Sequence, residues 1–418
     1  MNNGFNVNGQ ELDTYLVPRS YFNTGTGWGW GAGQYGNLGD LTTIMRSSPV
    51  QTISGGLNWK QIVTQKSFSA GIKTDGSLWT WGSGSTYGVL GNNTTGVVSS
   101  PVQTIAGGTN WRQVSAGTNQ SQSGAGGGGG VGAVKTDGSL WTWGFNSYGG
   151  LGDNTTVTKS SPVQTVAGGF IWNQVSATSM GHMAAVKSDG SLWTWGYNNR
   201  GQLGDNTAAN KSSPIQTIAG GKNWKSVAVG GYYTMAIKTD GTLWAWGRNY
   251  QGQLGDNTTN DTSSPIQTVA AGTNWKQVSA STGAFNGASN PATTAAIKTD
   301  GTLWMWGTGS GGQLGDNTVN TYSSPIQTIA AGTNWQQVST GYNFTMAIKT
   351  DGTLWTWGQN TSTIYISGST GAGGQLGDNT SVAKSSPIQT IASGYNWTWC
   401  SAGYCTAVAV NFINTFPP

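Results

Sequence analysis

Charged side chains are scarce in this sequence: they make up 8% of its 418 residues, whereas ordinary soluble domains carry about 25%. No stretch approaches the ~18 consecutive apolar residues of a transmembrane helix, so membrane insertion is not expected. Aromatic residues nevertheless reach 11% and recur at regular intervals, which argues against a disordered chain. We therefore expect a rigid β protein whose surface consists mainly of Asn, Ser, Thr and Gly.

Basic residues do not cluster, although the net charge is +4. Lysine and arginine are scattered along the chain. No cluster of them could bind along the phosphate backbone of a nucleic acid, so nucleic acid is not an expected partner. The first residues also lack a basic region followed by an apolar one, and we therefore expect no secretory signal.

Residues that carry catalysis or bind metals are few. His182 is the only histidine, and other repeats hold Phe or Tyr at its position, so we expect a structural role. Of the 15 acidic residues, six lie in K-(T/S)-D-G elements and six in L-G-D elements, where aspartate caps turns. For Cys400 and Cys405, both a disulfide and two reduced thiols remain open. We expect no enzymatic activity, no metal and no cofactor.

What the sequence has in abundance is tryptophan within a repeated element. The stretch "KTDGTLWAWGRNYQGQLGDNT" (238–258) has near-copies throughout the chain. An L-G-(D/N) element, an S-S-P element and a further tryptophan follow each copy in register, so that the repeat positions hold 21 of the 22 tryptophans. Trp399 is the exception. The W-x-W-G elements begin at Trp28, Trp79, Trp141, Trp193, Trp244, Trp304 and Trp355.

Each repeat has the pattern of four short strands. The D-G pair suits the tight turn between the second and third strands, because both residues tolerate positive φ. Trp304 and Trp306 are two residues apart and therefore point to the same side of the third strand. Four strands recurring about every 50 residues predict a β-propeller, in which neighbouring blades bury the tryptophans. In one copy the strands are residues 274–279, 294–298, 302–306 and 325–329.

The two ends of the repeat array complement each other. The K-(T/S)-D-G turn is missing before Trp28 and again after residues 406–412. We therefore predict that residues 406–412 pair with residues 24–31 and complete one blade from both ends of the chain. The predicted fold is all-β: a seven-bladed β-propeller of four-stranded antiparallel blades over residues 23–418, closed by its terminal strands.

The element "GTLWAWGRNYQGQLGDN" resembles the regulator-of-chromosome-condensation repeat, and the resemblance covers about residues 23–412. It implies a seven-bladed propeller. The family includes a nucleotide-exchange factor for a small nuclear GTPase, a plant UV-B photoreceptor, a secreted bacterial β-lactamase inhibitor, and proteins of bacteria and phages. No segment here matches the acidic and basic features of the exchange factor, and the tryptophans occupy strand positions and do not lie among arginines.

Three insertions break the symmetry of the repeats, at residues 117–130, 281–294 and 359–374. They lie between first and second strands or between third and fourth strands, which in an antiparallel blade means the same face of the disc. Function in repeat proteins usually lies where the repeats differ, so we predict a contact face for a receptor or glycan. Its candidate binding residues are Phe285, Asn286 and Tyr365.

The first 22 residues belong to no blade and are rich in apolar side chains. Eight such side chains in a segment this short cannot bury one another, so we predict an attachment segment that contacts another chain or the propeller. The segment resembles the short leaders of phage tail and capsid accessory proteins. Its candidate binding residues are Phe5, Leu12, Tyr15, Leu16, Tyr21 and Phe22.

These features lead to one main functional hypothesis and two alternatives. The main hypothesis is a non-enzymatic virion structural protein of a bacteriophage, located in the virion and oligomeric within it. In this hypothesis, residues 1–22 bind other virion proteins and the face that carries the three insertions serves adhesion or decoration. The alternative is a soluble, cytoplasmic protein-binding or inhibitor propeller. A GTPase exchange factor ranks third.

Overall fold

The computed structural model describes residues 23–52, 58–85, 87–117, 129–167, 171–178, 181–269, 272–281, 291–330, 332–361, 373–392 and 394–414. All regular secondary structure in these ranges consists of β-strands. Within the same ranges, no helix has the length and apolar character needed to cross a membrane. The strands form seven four-stranded antiparallel sheets, which confirms the predicted seven-bladed propeller.

The 28 strands are short, most of them five or six residues long. The first half of the chain contains β1 (Asn23–Gly31), β2 (Arg46–Gln51), β3 (Trp59–Thr64), β4 (Phe68–Lys73), β5 (Leu78–Ser83), β6 (Val97–Gln103), β7 (Trp111–Ala116), β8 (Gly130–Lys135), β9 (Leu140–Gly144), β10 (Lys159–Gln164), β11 (Trp172–Ala177), β12 (His182–Lys187), β13 (Leu192–Gly196) and β14 (Lys211–Gln216). The second half contains β15 (Trp224–Val229), β16 (Tyr233–Lys238), β17 (Leu243–Gly247), β18 (Thr262–Gln267), β19 (Trp275–Ala280), β20 (Thr293–Lys298), β21 (Leu303–Gly307), β22 (Tyr322–Gln327), β23 (Trp335–Thr340), β24 (Phe344–Lys349), β25 (Leu354–Gly358), β26 (Lys384–Gln389), β27 (Trp397–Ala402) and β28 (Thr406–Asn414).

Blades 1 to 6 are built from β3 to β26, four consecutive strands to a blade, and blade 7 joins the two ends of the chain. Its strand order is β2-β1-β28-β27. Strand β1 pairs antiparallel with β28 from Asn23↔Asn414 to Gly31↔Thr406. The predicted closure is therefore confirmed, and the pairing extends slightly beyond the predicted residues.

The W-x-W-G tryptophans pack between blades, as predicted. The second tryptophan of each element is fully buried, and its indole donates a hydrogen bond to a backbone carbonyl of the preceding blade. Trp306 Nε1, for example, donates to the Gln253 oxygen at 2.8 Å. The first tryptophan, such as Trp304, is half-buried and packs in the same core cluster. The tryptophans of each element thus join their blade to the preceding one by apolar packing and by a hydrogen bond. The equivalent buried tryptophans are Trp30, Trp81, Trp143, Trp195, Trp246 and Trp357.

Aspartates of the repeat cap turns, which confirms their predicted role. Asp300 Oδ1 accepts from the backbone N–H of Thr302 at 2.9 Å and from its hydroxyl at 2.7 Å. These bonds lower the pKa of Asp300. The Thr302 hydroxyl in turn accepts from Trp304 Nε1 at 3.0 Å. In the L-G-D elements, Asp256 Oδ1 accepts from the backbone N–H of Thr258 at 3.1 Å.

The lysine of each K-(T/S)-D-G element lies between two tryptophan rings of its own blade. Lys298 Nζ is 5.0 Å from the ring centroid of Trp275 and 4.4 Å from that of Trp304. Such contacts between an ammonium and the face of an indole are attractive. The same arrangement recurs in the other blades from 1 to 6, with Lys73, Lys135, Lys187, Lys238 and Lys349.

The first strands of the seven blades surround a central channel with a cavity volume of about 210 Å³. Glutamines bridge neighbouring first strands around it. Gln113 Nε2 donates to the Val175 carbonyl oxygen at 2.9 Å, and the Val175 N–H donates to Gln113 Oε1 at 2.9 Å. Blade 4 has Ser226 at this position and interrupts the series. The members of this glutamine belt are Gln61, Gln113, Gln174, Gln277 and Gln337.

Candidate functional site

The connections between first and second strands and those between third and fourth strands leave the blades at the same end. Tyr232 lies in a connection of the first kind and Tyr197 in one of the second kind, and their ring centroids are 6.1 Å apart although they belong to different blades. We call this end the looped face. The D-G turns lie at the other end. Most residues of the three predicted insertions lie outside the described residues, so the position of the insertions on the looped face stays a prediction.

Five aromatic rings form a continuous row across blades 1 to 4 on the looped face. The centroid distances are 5.1 Å for Tyr87–Phe145, 5.7 Å for Phe145–Tyr148, 4.4 Å for Tyr148–Tyr197 and 6.1 Å for Tyr197–Tyr232. The rings meet edge to face or tilted, which are the favourable arrangements for aromatic pairs. We call these five residues, together with Tyr250, the aromatic arc.

Two arginines lie at the blade 4 end of the arc. The guanidinium carbon of Arg248 is 5.6 Å from the Tyr232 ring and 4.8 Å from the Tyr250 ring. Arg200 lies 5.2 Å from the Tyr250 ring, and its Nη1 donates to the Tyr250 hydroxyl at 3.1 Å. A salt bridge of 3.5 Å joins Arg200 to Asp261. These contacts fix both guanidinium groups beside tyrosine rings.

Burial differs along this end of the arc. Tyr232 is 2% exposed and Arg248 4%, whereas Tyr250 is 45% exposed. Burial raises the pKa of Tyr232. It also lowers the pKa of Arg248, with a smaller contribution from the like charge of Arg200. At this end of the arc, the exposed phenol of Tyr250 therefore lies beside the buried, positively charged guanidinium group of Arg248.

A second aromatic cluster on the looped face joins blades 6, 7 and 1. The rings of Tyr342 and Tyr404 have centroids 4.1 Å apart, and Lys66 Nζ lies 5.6 Å from the Tyr404 ring. Burial lowers the pKa of Lys66, and the electrostatic interaction with Cys405 acts in the opposite direction. This cluster repeats, at a smaller scale, the pairing of tyrosine with a cation seen in the arc.

All nine candidate binding residues predicted from the sequence lie outside the described residues, and so does the attachment segment 1–22; both remain predictions. The nine residues are Phe5, Leu12, Tyr15, Leu16, Tyr21, Phe22, Phe285, Asn286 and Tyr365.

Sequence reasoning also missed the aromatic arc. A signal was present: Phe145, Tyr197 and Arg248 occupy the position directly after the W-x-W-G element, where other blades have Ala, Ser, Thr or Gln. Their departure from the repeat consensus in consecutive blades marks this side of the looped face.

The histidine and the two cysteines noted in the sequence are buried. His182 has no exposed surface, its Nε2 lies 3.3 Å from the Thr234 hydroxyl, and burial lowers its pKa to about 3. Cys400 and Cys405 are separate buried thiols, and burial raises the pKa of Cys400. Among the described residues, no group of three or more His, Cys, Asp or Glu side chains is placed to hold a metal ion.

Comparison with known proteins identifies the family. The sequence profile of the RCC1-like domain matches residues 122–409, and that of the regulator of chromosome condensation (RCC1) repeat matches residues 75–121. The chain belongs to the RCC1-like family. The resemblance seen in the repeat element is thereby confirmed.

The curated relatives of this chain are larger proteins. It is 29% identical over 283 residues to the ultraviolet-B receptor UVR8 of Arabidopsis thaliana, covering 67% of this chain and 59% of the receptor. It is 28% identical over 302 residues to the mitochondrial RCC1 domain-containing protein RUG3 of Arabidopsis thaliana, covering 70% of this chain and 63% of RUG3. A match to the human E3 ubiquitin-protein ligase HERC2 covers 54% of this chain but 5% of the ligase. This chain therefore spans less than two thirds of the length of each of these relatives.

Solved structures confirm the architecture. Human WBSCR16 superposes with a TM-score of 0.72 at 19% identity, covering 93% of this chain and 98% of that one. Prp20p of Saccharomyces cerevisiae superposes with a TM-score of 0.74 at 15% identity, covering 93% and 92%. At these identities the likeness establishes the fold alone.

The hypothesis of a bacteriophage virion protein is wrong, and so is the predicted virion location. The relatives are plant, human, mouse and yeast proteins, none of which is named as a virion component. The features that suggested a virion have another physical cause. The recurring tryptophans and turn aspartates serve the blade itself, since every blade buries the same tryptophans and forms the same turns.

Proposed function

We propose that this protein is a protein-binding propeller with a regulatory role, and that it holds its partner on the looped face through the aromatic arc and its two arginines. The proposal rests on the unbroken row of aromatic rings across four blades, which ends at Arg200 and Arg248.

The shape of the arc suits a macromolecule. Its members come from four successive blades, so it extends along the looped face and does not enclose a small volume. Ligands of drug size prefer concave pockets that bury most of their surface. A partner protein can contact the whole row at once.

The composition of the arc is that of a protein interface. Tyrosine and arginine are enriched at interfaces and among the residues that dominate binding energy. Tyr250 is exposed, and Arg200 holds its phenol in place. A tyrosine that is already held in position loses little conformational entropy on binding.

The relatives are consistent with this proposal. One is named as a receptor, and one of the solved structures was described together with its binding of Gsp1p and histones. These names describe those proteins. For this chain we infer the same general kind of role, recognition of another protein.

The proposal is tested by comparing the proteins that bind the full chain with those that bind arc variants. Tyr250→Ala and Tyr197→Ala should each lose the specific partner, and the purified partner should then bind the variants at least about tenfold more weakly. Ile218→Ala is the control, because Ile218 is 58% exposed in the same blade as Tyr197 but lies outside the arc. Unchanged binding by both arc variants would overturn the proposal.

A further inference from the structure

Blade 5 differs from the other blades at the central channel. Val278, on its first strand β19, lines the channel and is partly exposed. The equivalent residues Val114, Val175, Val227 and Val338 line the same channel, and each is at most 2% exposed. The inner edge of β19 is therefore open to the channel, whereas the same edge in those four blades is covered.

In blades 2, 3, 4, 6 and 7, a glutamine from the preceding blade covers this edge with its primary carboxamide. Gln174, for example, donates through Nε2 to the Val227 carbonyl oxygen at 3.1 Å and accepts through Oε1 from the Val227 N–H at 3.0 Å. The other four glutamines repeat both bonds, at 2.9–3.4 Å for the first and 2.9–3.1 Å for the second. One carboxamide thus satisfies the N–H and the C=O of a single edge residue, as a neighbouring strand would.

Blade 4, which precedes β19, differs from the repeat at both positions that bridge to the next blade. Ser226 takes the place of the glutamine, and its hydroxyl has no hydrogen-bond partner in the described part of the chain. Ala228 takes the place of a serine. In blade 5 that serine is Ser279, whose Oγ accepts from the Thr340 N–H of blade 6 at 3.0 Å. The two substitutions therefore shorten two bridging side chains at one seam.

The backbone of Val278 presents the same groups that a glutamine binds elsewhere. Val278 pairs with Ala296 of the second strand in the register in which Val338 pairs with Ala347. Its N–H and C=O therefore point to the inner edge of the blade, as those of Val338 do toward Gln277. The open edge of β19 thus offers one donor and one acceptor side by side.

The space in front of this edge suits a small ligand. The channel has a cavity volume of about 210 Å³, and Val227, Ala228, Gln277 and Val278 line it at the seam between blades 4 and 5. Pockets for drug-sized molecules measure about 300–1,000 Å³. The channel therefore holds a ligand that is smaller than a typical drug.

We propose that the central channel binds a small molecule with a primary carboxamide group at the Val278 edge of β19. The five glutamines of the belt indicate the chemistry of the ligand, because in each of them this group makes both hydrogen bonds at once. The ligand takes the place of the carboxamide that Ser226 does not supply. The site lies in the channel, apart from the aromatic arc, and it does not depend on the function proposed for the looped face.

The first test uses acetamide, which reproduces the end of a glutamine side chain, with the full-length protein labelled with ¹⁵N at valine. We expect a saturable shift of the Val278 amide signal, which Val278→Ile identifies. The amide signals of the four equivalent valines, whose groups already bind glutamines, should not shift. Acetone has the same shape but no N–H donors, and it should not produce the shift. No saturable shift, equal shifts at all five valines, or an equal shift with acetone would overturn the proposal.

Two variants at one position test whether the missing glutamine defines the site. Ser226→Gln supplies the carboxamide from within the protein, and it should weaken acetamide binding by roughly tenfold or more because it occupies both hydrogen-bonding groups. Ser226→Ala is the matched control and should keep the binding. If Ser226→Gln folds and still binds acetamide like the wild type, the site is not the one proposed.

A third variant creates the same site at another seam. Gln113→Ser removes the carboxamide that bonds the N–H and C=O of Val175. The Val175 amide signal should then respond to acetamide as the Val278 signal does in the wild type. A folded Gln113→Ser protein whose Val175 signal does not respond would overturn the proposal. This variant also gives the decision if Ser226→Gln does not fold.

Discussion

The indole Nε1 of Trp399 donates a hydrogen bond of 2.7 Å to the carbonyl oxygen of Ile62 in the neighbouring blade. Trp399 is the tryptophan that lies outside the repeat pattern, and it takes the position in blade 7 that a glutamine takes in five other blades. A glutamine both donates to and accepts from the facing strand, whereas an indole can only donate. At this position, one hydrogen bond therefore joins blade 7 to blade 1, whereas a glutamine of the belt makes two hydrogen bonds to the next blade.

The glutamine belt should contribute measurably to stability. Gln113→Ala removes two hydrogen bonds and leaves the N–H and C=O of Val175, which is 1% exposed, without these partners. We expect a loss of about 1–3 kcal/mol in the free energy of unfolding, measured by urea denaturation. Ser226→Ala at the equivalent position of blade 4 should change it by less than about 0.5 kcal/mol. Equal effects of the two variants would show that the belt does not stabilise the ring.

His182 should make the protein sensitive to acid. Burial lowers its pKa from 6.5 to about 3, so below pH 6.5 the unfolded chain binds a proton that the folded chain does not. Stability is then lost progressively as the pH falls from 6.5 toward 3, by on the order of several kcal/mol. His182→Phe, which places the residue of blades 1 and 6 at this position, should show a smaller loss in unfolding experiments across this range. An identical acid dependence would argue against this assignment.

Tyr233 should make the stability of the protein depend on pH in the alkaline range. Its hydroxyl donates to the Thr293 oxygen at 2.8 Å and accepts from the Ser281 N–H at 3.1 Å, which joins blade 4 to blade 5. Burial raises its pKa from 10.0 to about 12. The stability that it contributes is fully present below pH 10 and is lost as the pH rises through 12.

Tyr233→Phe should cost about 1–3 kcal/mol at neutral pH and should flatten the loss of stability between pH 10 and 12. Tyr322→Phe is the control, since the nearest partner of its hydroxyl is the exposed Asn320 amide at 3.5 Å. Chemical denaturation at several pH values checks both expectations, and an unchanged alkaline slope in Tyr233→Phe would contradict them.

Ring closure should be essential for solubility. Removing residues 406–418 deletes β28, so β1 and β27 lose the strand that lies between them. The exposed strand edges and the uncovered blade face should cause aggregation, which size-exclusion chromatography and light scattering detect. A soluble monomer with an unchanged melting temperature would contradict the closure.

Much of the fold could be predicted from local sequence. The period of the W-x-W-G element, the D-G turns and the alternation of Trp304 and Trp306 indicated the strands, because these signals act within one blade. The missing D-G turn at each end indicated closure through β1 and β28. The tryptophans were expected to be buried, and the second one of each element is fully so.

The candidate sites could not be predicted in the same way, because their members meet only across blades. Tyr148 and Tyr197 come into contact because blades 2 and 3 stack, and their distance depends on how one blade is rotated against the next. Repeat spacing does not encode that rotation.

The sequence by itself therefore determined the number of blades, their strands and their order around the ring. The tertiary structure alone decided that tyrosines of four blades form one row and that Trp399 bonds Ile62. The physical reason is that turns and strands follow from neighbouring residues, whereas contacts between residues about 50 apart depend on how the blades pack.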